Sequence, residues 1–279
     1  MDVVVSTIHT IIQPVFIHKP EEYGISLFRF KQFTVWHDRC AMKVGTDGVL
    51  LGAWCPLNEN VETEKTGSSK RILDIGTGSG LIALMLAQRL YSIDNIPLII
   101  NIDAIDIEES AVEQARYNFT QSPWSHILQV HHSTLQDWQA EKYDIIVSNP
   151  PYFQNSLKNP NAQRAAARHT DSLSYKELIS CSVNLLKGNG ILALVLPVEA
   201  ENEILALAQQ NHLYPEQLTY VHPKPGKPAK RLLITLKQET ENEEQRTKNK
   251  KRKTNIFYIE SENSPRSIEY QALTKDFYL

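Results

Sequence analysis

The chain has 279 residues, a formal net charge of −3 and 42% hydrophobic residues, enough for the core of one large domain or two small ones. This charge does not suggest a general nucleic-acid-binding protein, although a local basic surface is compatible with it. The three scattered cysteines indicate neither a disulfide framework nor a zinc site, and we expect no bound metal. The N-terminus lacks a basic leader and a membrane-spanning run, so we expect a soluble cytoplasmic protein with no membrane partner and leave its oligomeric state open.

The first 60 residues predict an extension that packs on the main domain. They contain the stretch FRFKQFTVWH, whose alternation of apolar and polar residues is typical of a strand. The segment MKVGTDGVLLGAW follows, with glycines on both sides of an apolar run. We therefore divide the chain into an extension, residues 1–60, and one domain, residues 61–279.

From about residue 70, short β-branched runs alternate with helical patterns, as in a parallel sheet wrapped by helices. Later, a Pro- and Lys-rich stretch too short for a helix joins two apolar runs, which predicts an antiparallel hairpin at the end of the sheet. We expect a Rossmann-like α/β fold whose mostly parallel sheet carries helices on both faces. The predicted strands are RILDIG, NIDAIDI, ILQVHH, YDIIVSN, GILALVLP, LTYVHP and RLLITLK, and the main predicted helices are LIALMLAQRL, ESAVEQARYNF, SYKELISCSVNLL and EAENEILALAQQ.

Residues 239–255 are wholly polar, with an acidic block followed by a basic one, and cannot bury a core. We predict a flexible insertion at the tip of a hairpin between RLLITLK and NIFYIE. A solvated spacer is the simplest interpretation, and an arm that contacts phosphates is the alternative.

The stretch DIGTGSG, residues 74–80, lies where a predicted strand ends and a helix begins, so backbone amides can meet a ligand there. A Cβ at Gly76 or Gly78 would keep the ligand away from the backbone. The G-x-G-x-G spacing differs from the G-x-G-x-x-G of nicotinamide sites and favours S-adenosylmethionine, which has no pyrophosphate. A carboxylate at the end of the next strand could accept both ribose hydroxyls. The predicted cofactor residues are Asp74, Gly76, Thr77, Gly78, Gly80, Asp106 and Ile107.

The stretch SNPPYF ends an apolar strand with two prolines, which makes a stiff loop that leaves its carbonyls available. With DIGTGSG, this NPPY resembles the class I S-adenosylmethionine-dependent methyltransferases that modify amide-like or exocyclic amino nitrogens. The resemblance implies that the side chain of Asn149, which also borders the cofactor, and the carbonyl of Pro150 accept hydrogen bonds from the target nitrogen. Pro151 would aim that carbonyl, Tyr152 would stack on the base, and Phe153 would offer a second face.

Three further segments, FRFKQFTVWHDRCAMKVGTDGVLLGAW, KPGKPAKRLLI and the final ALTKDFYL, are similar to the bacterial tRNA1(Val) (adenine(37)-N6)-methyltransferase family. The resemblance implies that the partner is a valine tRNA and the product N6-methyladenosine next to its anticodon. The family often places an Asp near the cofactor adenine where this chain has Thr134, so that role goes to Thr134 or Asp137. Lys43 and Asp47 would cover the cofactor pocket. The candidate RNA contacts are Lys224, Lys227, Lys230 and Arg231 on the hairpin loop, and Arg164, Arg168 and His169 after NPPY.

Three alternatives share parts of this pattern. Release-factor glutamine methyltransferases also carry NPPY but have an N-terminal helical module, which the strand-like start of this chain does not resemble. DNA adenine methyltransferases usually carry a sizeable target-recognition domain, for which little room is left after residue 150. A non-catalytic RNA-binding protein with the same fold would not need the acceptor Asn149.

Overall fold

The computed structural model describes residues 26–40, 42–57, 69–91, 99–151, 173–238 and 252–279. Within these ranges strands and helices alternate through the middle of the chain, as the sequence predicts. The strands are β1 (Leu27–Arg29), β2 (Thr34–Trp36), β3 (Ser69–Ile75), β4 (Ile99–Asp106), β5 (Leu128–His132), β6 (Tyr143–Ser148), β7 (Leu186–Pro197), β8 (Leu213–His222), β9 (Arg231–Gln238) and β10 (Lys253–Tyr258). The helices are α1 (Thr46–Trp54), α2 (Leu81–Tyr91), α3 (Glu109–Thr120), α4 (Tyr175–Leu185), α5 (Glu201–Gln210) and α6 (Ile268–Thr274).

The main sheet has eight strands in the order β10-β8-β9-β7-β6-β3-β4-β5. Strands β3 to β7 are parallel, and β9 is antiparallel to both of its neighbours, β7 and β8. The chain fills the sheet outward from β3 in one direction and then from β6 in the other. A switch point therefore lies between β3 and β6, where ligands of open α/β sheets bind beyond the carboxyl ends of the strands.

Helices cover both faces of this sheet, as predicted. On one face α1, α2, α3 and α6 share a hydrophobic core with the inward side chains of the sheet. On the other face α4 and α5 pack through residues such as Leu178, Ile179 and Ile204, all fully buried. No helix separates β5 from β6 in the described residues 133–142, where Leu135 and Trp138 cover the sheet instead. Among the described helices, none has the length and apolar character that crossing a membrane requires.

The predicted hairpin between RLLITLK and NIFYIE is wrong. Strand β10 pairs with β8 in parallel, from Lys253 opposite Gln217 to Tyr258 opposite His222. Strand β9 already pairs with β7 on one side and β8 on the other, so it has no edge left for a third partner. The predicted insertion is also too long, because its last three residues, 253–255, belong to β10. Residues 239–251 of the predicted insertion lie outside the described residues.

The stretch FRFKQFTVWH forms a two-stranded antiparallel hairpin and not one continuous strand. Strands β1 and β2 pair from Leu27 opposite Trp36 to Arg29 opposite Thr34. The hairpin contacts the other end of the chain, since Lys31 N–H donates to the Phe277 carbonyl at 2.8 Å. The rings of Phe30 and Tyr278 stack at 5.9 Å. The proposed boundary at residue 60 lies outside the described residues and stays a prediction.

Candidate active site

The ends of strands β3, β4 and β6 meet at one edge of the sheet. Ile75, the last residue of β3, lies opposite Ile105 of β4 and Ser148 of β6. The register thus brings the loop after β3, the last residue of β4 (Asp106) and Asn149 to neighbouring positions. We call this the carboxyl edge.

The loop after β3, here the glycine loop (residues 76–80), is anchored on β4. The N–H groups of Gly76 and Thr77 both donate to the Ile105 carbonyl, at 2.9 and 3.1 Å. Gly76 and Gly78 have φ of +67° and +56°, and a Cβ at either position would meet no atom within 4 Å. Gly80, with φ of +81°, has a different role, because its Cβ would lie 2.5 Å from the Phe119 ring. The first two glycines therefore leave open space, whereas the third allows close packing.

Asp74 lies fully buried beneath the glycine loop. Its Oδ2 accepts hydrogen bonds from Thr77 Oγ1 at 2.7 Å and from Ala83 N–H at 3.2 Å. Its Oδ1 is buried and has no hydrogen-bond partner in the part of the chain that the structure describes. Burial raises the pKa of Asp74 to about 7. A buried oxygen without a donor is unfavourable, so a donor from a ligand would stabilise it.

Asp106 connects the glycine loop to the start of α3. Its Oδ2 accepts from Gly78 N–H at 2.8 Å and its Oδ1 accepts from Glu108 N–H at 3.0 Å. Each carboxylate oxygen can accept a further hydrogen bond, so the held carboxylate can still bind two hydroxyls. The next side chain, Ile107, is 43% exposed and offers an apolar surface beside it.

Thr134 and Asp137 form a small turn after β5. Thr134 Oγ1 donates to Asp137 Oδ2 at 2.7 Å, and Asp137 N–H donates back to Thr134 Oγ1 at 3.1 Å. The turn begins next to the proposed ribose site, since Ser133 N–H donates to the Asp106 carbonyl at 3.1 Å. Either residue could therefore reach a ligand held by Asp106.

The end of β6 is tied to the end of β3. Ser148, 1% exposed, donates from Oγ to the Ile75 carbonyl at 2.9 Å. After it, Asn149 is half-buried, Pro150 is buried and Pro151 is exposed. The chain after β6, residues 149–151, thus starts from a fixed point beside the glycine loop. Five predicted substrate residues lie outside the described residues: Tyr152, Phe153, Arg164, Arg168 and His169.

The basic loop (residues 223–230) also lies at the carboxyl edge. It joins the end of β8 to the start of β9, and Arg231 pairs there with Pro197, the last residue of β7. Strand β9 is two strand spacings from β6, about 10 Å. The side chains of Lys224, Lys227 and Lys230 are exposed. They share the edge with Asn149 and could contact an RNA backbone bound across it.

Two further predicted residues form an ion pair between a strand and a helix. Arg231 Nε donates to Asp47 Oδ2 at 2.8 Å, so this arginine links β9 to the first turn of α1. The helix N-terminus also favours the Asp47 carboxylate. Lys43, which precedes α1 in the sequence, is exposed. The described residues contain no group of three or more His, Cys, Asp and Glu side chains that could hold a metal.

Sequence reasoning missed Asn118, which hydrogen-bonds both the glycine loop and β2. A signal existed, because Asn118 follows Ala111 and Ala115 at helical spacing on the apolar face of α3. A polar residue at such a position must find partners when it is buried.

Comparison with known proteins identifies the family. Residues 57–211 match the family model described as methyltransferase small domain. The tRNA1(Val) (adenine(37)-N6)-methyltransferase of Parabacteroides distasonis is 46% identical over 255 residues, covering 90% of this chain and 97% of that protein. The chain belongs to this methyltransferase family. Proteins of the same name from Flavobacterium psychrophilum, 43% identical over 91% of this chain and 99% of the relative, and from Pectobacterium carotovorum, 41% identical over 90% and 93%, agree.

Solved structures confirm the fold class. A predicted O-methyltransferase from Agrobacterium tumefaciens superposes with a TM-score of 0.56, covering 83% of this chain and 96% of that one at 17% identity. The predicted class I methyltransferase fold and the predicted tRNA1(Val) (adenine(37)-N6)-methyltransferase family are thus both confirmed. The glutamine methyltransferase alternative is not favoured.

Proposed function

We propose that this chain transfers a methyl group from S-adenosylmethionine to the exocyclic N6 of adenine 37 in tRNA1(Val). The observation that carries the proposal is the junction at the carboxyl edge. There the register places the glycine loop and Asp106 beside the Asn149-Pro150 acceptor loop. The names of the relatives supply the substrate, since each is a tRNA1(Val) (adenine(37)-N6)-methyltransferase.

The residues at the edge fit the cofactor. S-adenosylmethionine supplies the activated methyl group when it is bound. Asp106 has a free acceptor position on each oxygen for the ribose hydroxyls, and Ile107 offers apolar surface to the adenine. Gly76 and Gly78 leave space beside the backbone. The buried Asp74 Oδ1 could accept a hydrogen bond from a donor group of the cofactor. Thr134 or Asp137 completes this proposed site.

The acceptor loop acts on the adenine amino group. The lone pair of this nitrogen is delocalised into the ring, which makes the amino group a poor nucleophile. If Asn149 Oδ1 and the Pro150 carbonyl each accept one N–H, they fix the nitrogen in place and stabilise the positive charge that develops on it. Pro151 keeps the loop stiff, because the ring restricts Pro151 itself and the residue before it. Stacking of Tyr152 and Phe153 on the base belongs to the same proposal.

In this proposal exposed basic side chains hold the RNA. An adenine in an anticodon loop is unpaired, so turning it out of the stack costs less than opening a duplex. Lys227 and Lys230, with Lys224, would contact phosphates of the loop, joined by Arg164 and Arg168 from beyond the described residues. The three free cysteines fit the reducing cytoplasm in which we place the reaction.

The test incubates the purified protein with labelled S-adenosylmethionine and, separately, an unmodified tRNA1(Val) transcript, the same transcript with guanine at position 37, duplex DNA and a release factor. Nucleoside mass spectrometry then identifies the product. We expect N6-methyladenosine in the first transcript and no label in the second. Label in the release factor or the DNA would overturn the proposed substrate. Absence of label in every substrate, despite cofactor binding, would overturn the proposed activity.

A further inference from the structure

Asn118 makes three hydrogen bonds from a side chain that is only 1% exposed. Its Nδ2 donates to the Ser79 carbonyl at 2.7 Å and to the Trp36 carbonyl at 2.8 Å. Its Oδ1 accepts from Trp36 N–H at 3.0 Å. The amide thus uses both of its hydrogens, and it joins α3 at once to the glycine loop and to β2.

The chain beyond Trp36 follows α3 back toward its first turn. Arg39 N–H donates to Gln114 Oε1 at 3.2 Å, and the Arg39 guanidinium pairs with Glu113 at 3.1 Å. The first turn of α3 directly follows the end of β4, where Asp106 accepts a hydrogen bond from Glu108 N–H at 3.0 Å. Residues 36–40, here the wall segment, therefore lead from the end of the glycine loop toward the proposed ribose carboxylate.

We propose that Asn118 is a positioning residue for the cofactor, holding the glycine loop and the wall segment as two sides of one groove that ends at Asp106. The inference rests on the proposed cofactor site and extends it to the N-terminal hairpin. An amide suits this position because its two donors and its acceptor match two carbonyls and one N–H. A carboxylate of the same shape has no hydrogen-bond donor, and an aliphatic side chain has neither a donor nor an acceptor.

The glycine loop transmits the effect. Ser79 directly follows Gly78, whose N–H donates to Asp106. The Ser79 carbonyl belongs to the Ser79–Gly80 peptide and the Gly78 N–H to the Thr77–Gly78 peptide, so Asn118 acts on this N–H by restricting the short loop that contains both peptides. Loss of the amide should loosen both sides of the groove and weaken cofactor binding, while the acceptor loop at Asn149 keeps its own anchor through Ser148.

The test compares Asn118→Leu with a matched control, Gln114→Leu. Gln114 lies on the same helix, is 3% exposed and holds the wall segment through Arg39, but its hydrogen bond does not reach the glycine loop. The measurements are the cofactor Kd by calorimetry, kcat at saturating cofactor, and hydrogen exchange of residues 76–80 well below Tm. Asn118→Ala, which leaves room for water, replaces the leucine variant if that variant does not fold.

For Asn118→Leu we expect a cofactor Kd raised about tenfold or more, faster exchange in the glycine loop and a kcat within about threefold of wild type. Gln114→Leu should change the Kd much less and leave exchange at residues 76–80 unaltered. Equal effects of the two variants, or an unchanged Kd in Asn118→Leu, would overturn the inference. Asp106→Ala tests the proposed cofactor site separately from the role of Asn118. An unchanged cofactor Kd in this variant would overturn the cofactor site itself, and with it the role of Asn118.

Discussion

The two ends of the carboxyl edge are built differently. At the cofactor end, the protein itself holds the polar groups, as in the bonds of Gly76 and Thr77 to Ile105 and of Gly78 to Asp106. At the basic loop, backbone bonds shape the turn, such as Lys227 N–H to the Lys224 carbonyl at 3.1 Å, while the lysine side chains extend into solvent. A small cofactor needs fixed geometry, whereas a long polyanion can be held by mobile charge. Substitutions at the cofactor end should therefore change cofactor binding strongly. Substitutions at the basic loop should change tRNA binding weakly and in a salt-dependent way.

The largest effect is expected between the two ends, at Asn149. Asn149→Ala removes one of the two acceptors that we assign to the target nitrogen, and kcat should fall about a hundredfold or more. The cofactor Kd should stay close to wild type, because the glycine loop and Asp106 are unaltered. Steady-state methylation of the tRNA1(Val) transcript at saturating substrates measures kcat, and calorimetry measures the cofactor Kd. Near-normal turnover would contradict the acceptor mechanism.

Asp106→Ala should come next and affect binding more than chemistry. The change removes the carboxylate that we assign to the ribose and leaves the N–H groups of Gly78 and Glu108 without their acceptor. Loss of even one charge-assisted hydrogen bond costs about 1.5 to 3 kcal/mol, so the cofactor Kd should rise by at least about 10- to 100-fold. Calorimetry at low and high salt measures it. Asp106→Asn, which keeps one acceptor, should lie between the two, and equal Kd values for all three proteins would show that the ribose is bound elsewhere.

A smaller effect is expected at the basic loop. The double variant Lys227→Ala/Lys230→Ala should raise the tRNA KM a few-fold at low salt and leave the cofactor Kd unchanged. The slope of log K against log salt should become shallower by up to roughly 1.4, about 0.7 for each lost phosphate contact. A titration of tRNA binding at several salt concentrations measures both quantities.

The control for this pair is Lys142→Ala/Lys275→Ala. Both lysines are exposed, and both lie away from the carboxyl edge. Lys142 directly precedes β6, at the opposite edge of the sheet. Lys275 is next to Asp276, whose carbonyl accepts a hydrogen bond from Gln88 near the C-terminal end of α2. The control should leave the salt slope unchanged. If both pairs change the slope equally, the binding surface is not confined to the carboxyl edge.

What the sequence predicts well is local. The glycine loop, Asp106 and residues 149–151 each occupy a few consecutive positions at the end of a strand, so strand pattern and turn chemistry suffice to predict that they lie at the carboxyl edge. What it misses depends on distant partners. Trp36 and Asn118 are 82 residues apart in sequence. Strand β10 pairs with β8 and not with β9, because both edges of β9 are already paired. No local pattern carries that information, although Asn118 on the apolar face of its helix was a clue.

The smallest predicted effect concerns the buried acid at the cofactor end. Burial raises the pKa of Asp74 from an ordinary value of 3.8 to about 7 in the folded protein. Between these values the folded state keeps a proton that the unfolded state has lost, so this group makes stability fall as pH rises from about 4 to 7, with no further loss above 7. Asp74→Asn has no carboxyl group to ionise, and its amide oxygen can still accept from Thr77 and Ala83.

The Tm of Asp74→Asn relative to wild type should therefore rise by a few degrees between pH 5 and pH 8 in the absence of cofactor. Thermal unfolding at both pH values measures the difference. Asp137→Asn, which changes an exposed carboxylate in the turn after β5, serves as the control. A pH-independent difference for Asp74→Asn would mean that the buried carboxyl group does not titrate in this range. In that case the large changes in cofactor binding expected at the cofactor end would come from hydrogen-bond geometry alone, without a contribution from the buried Asp74 carboxylate.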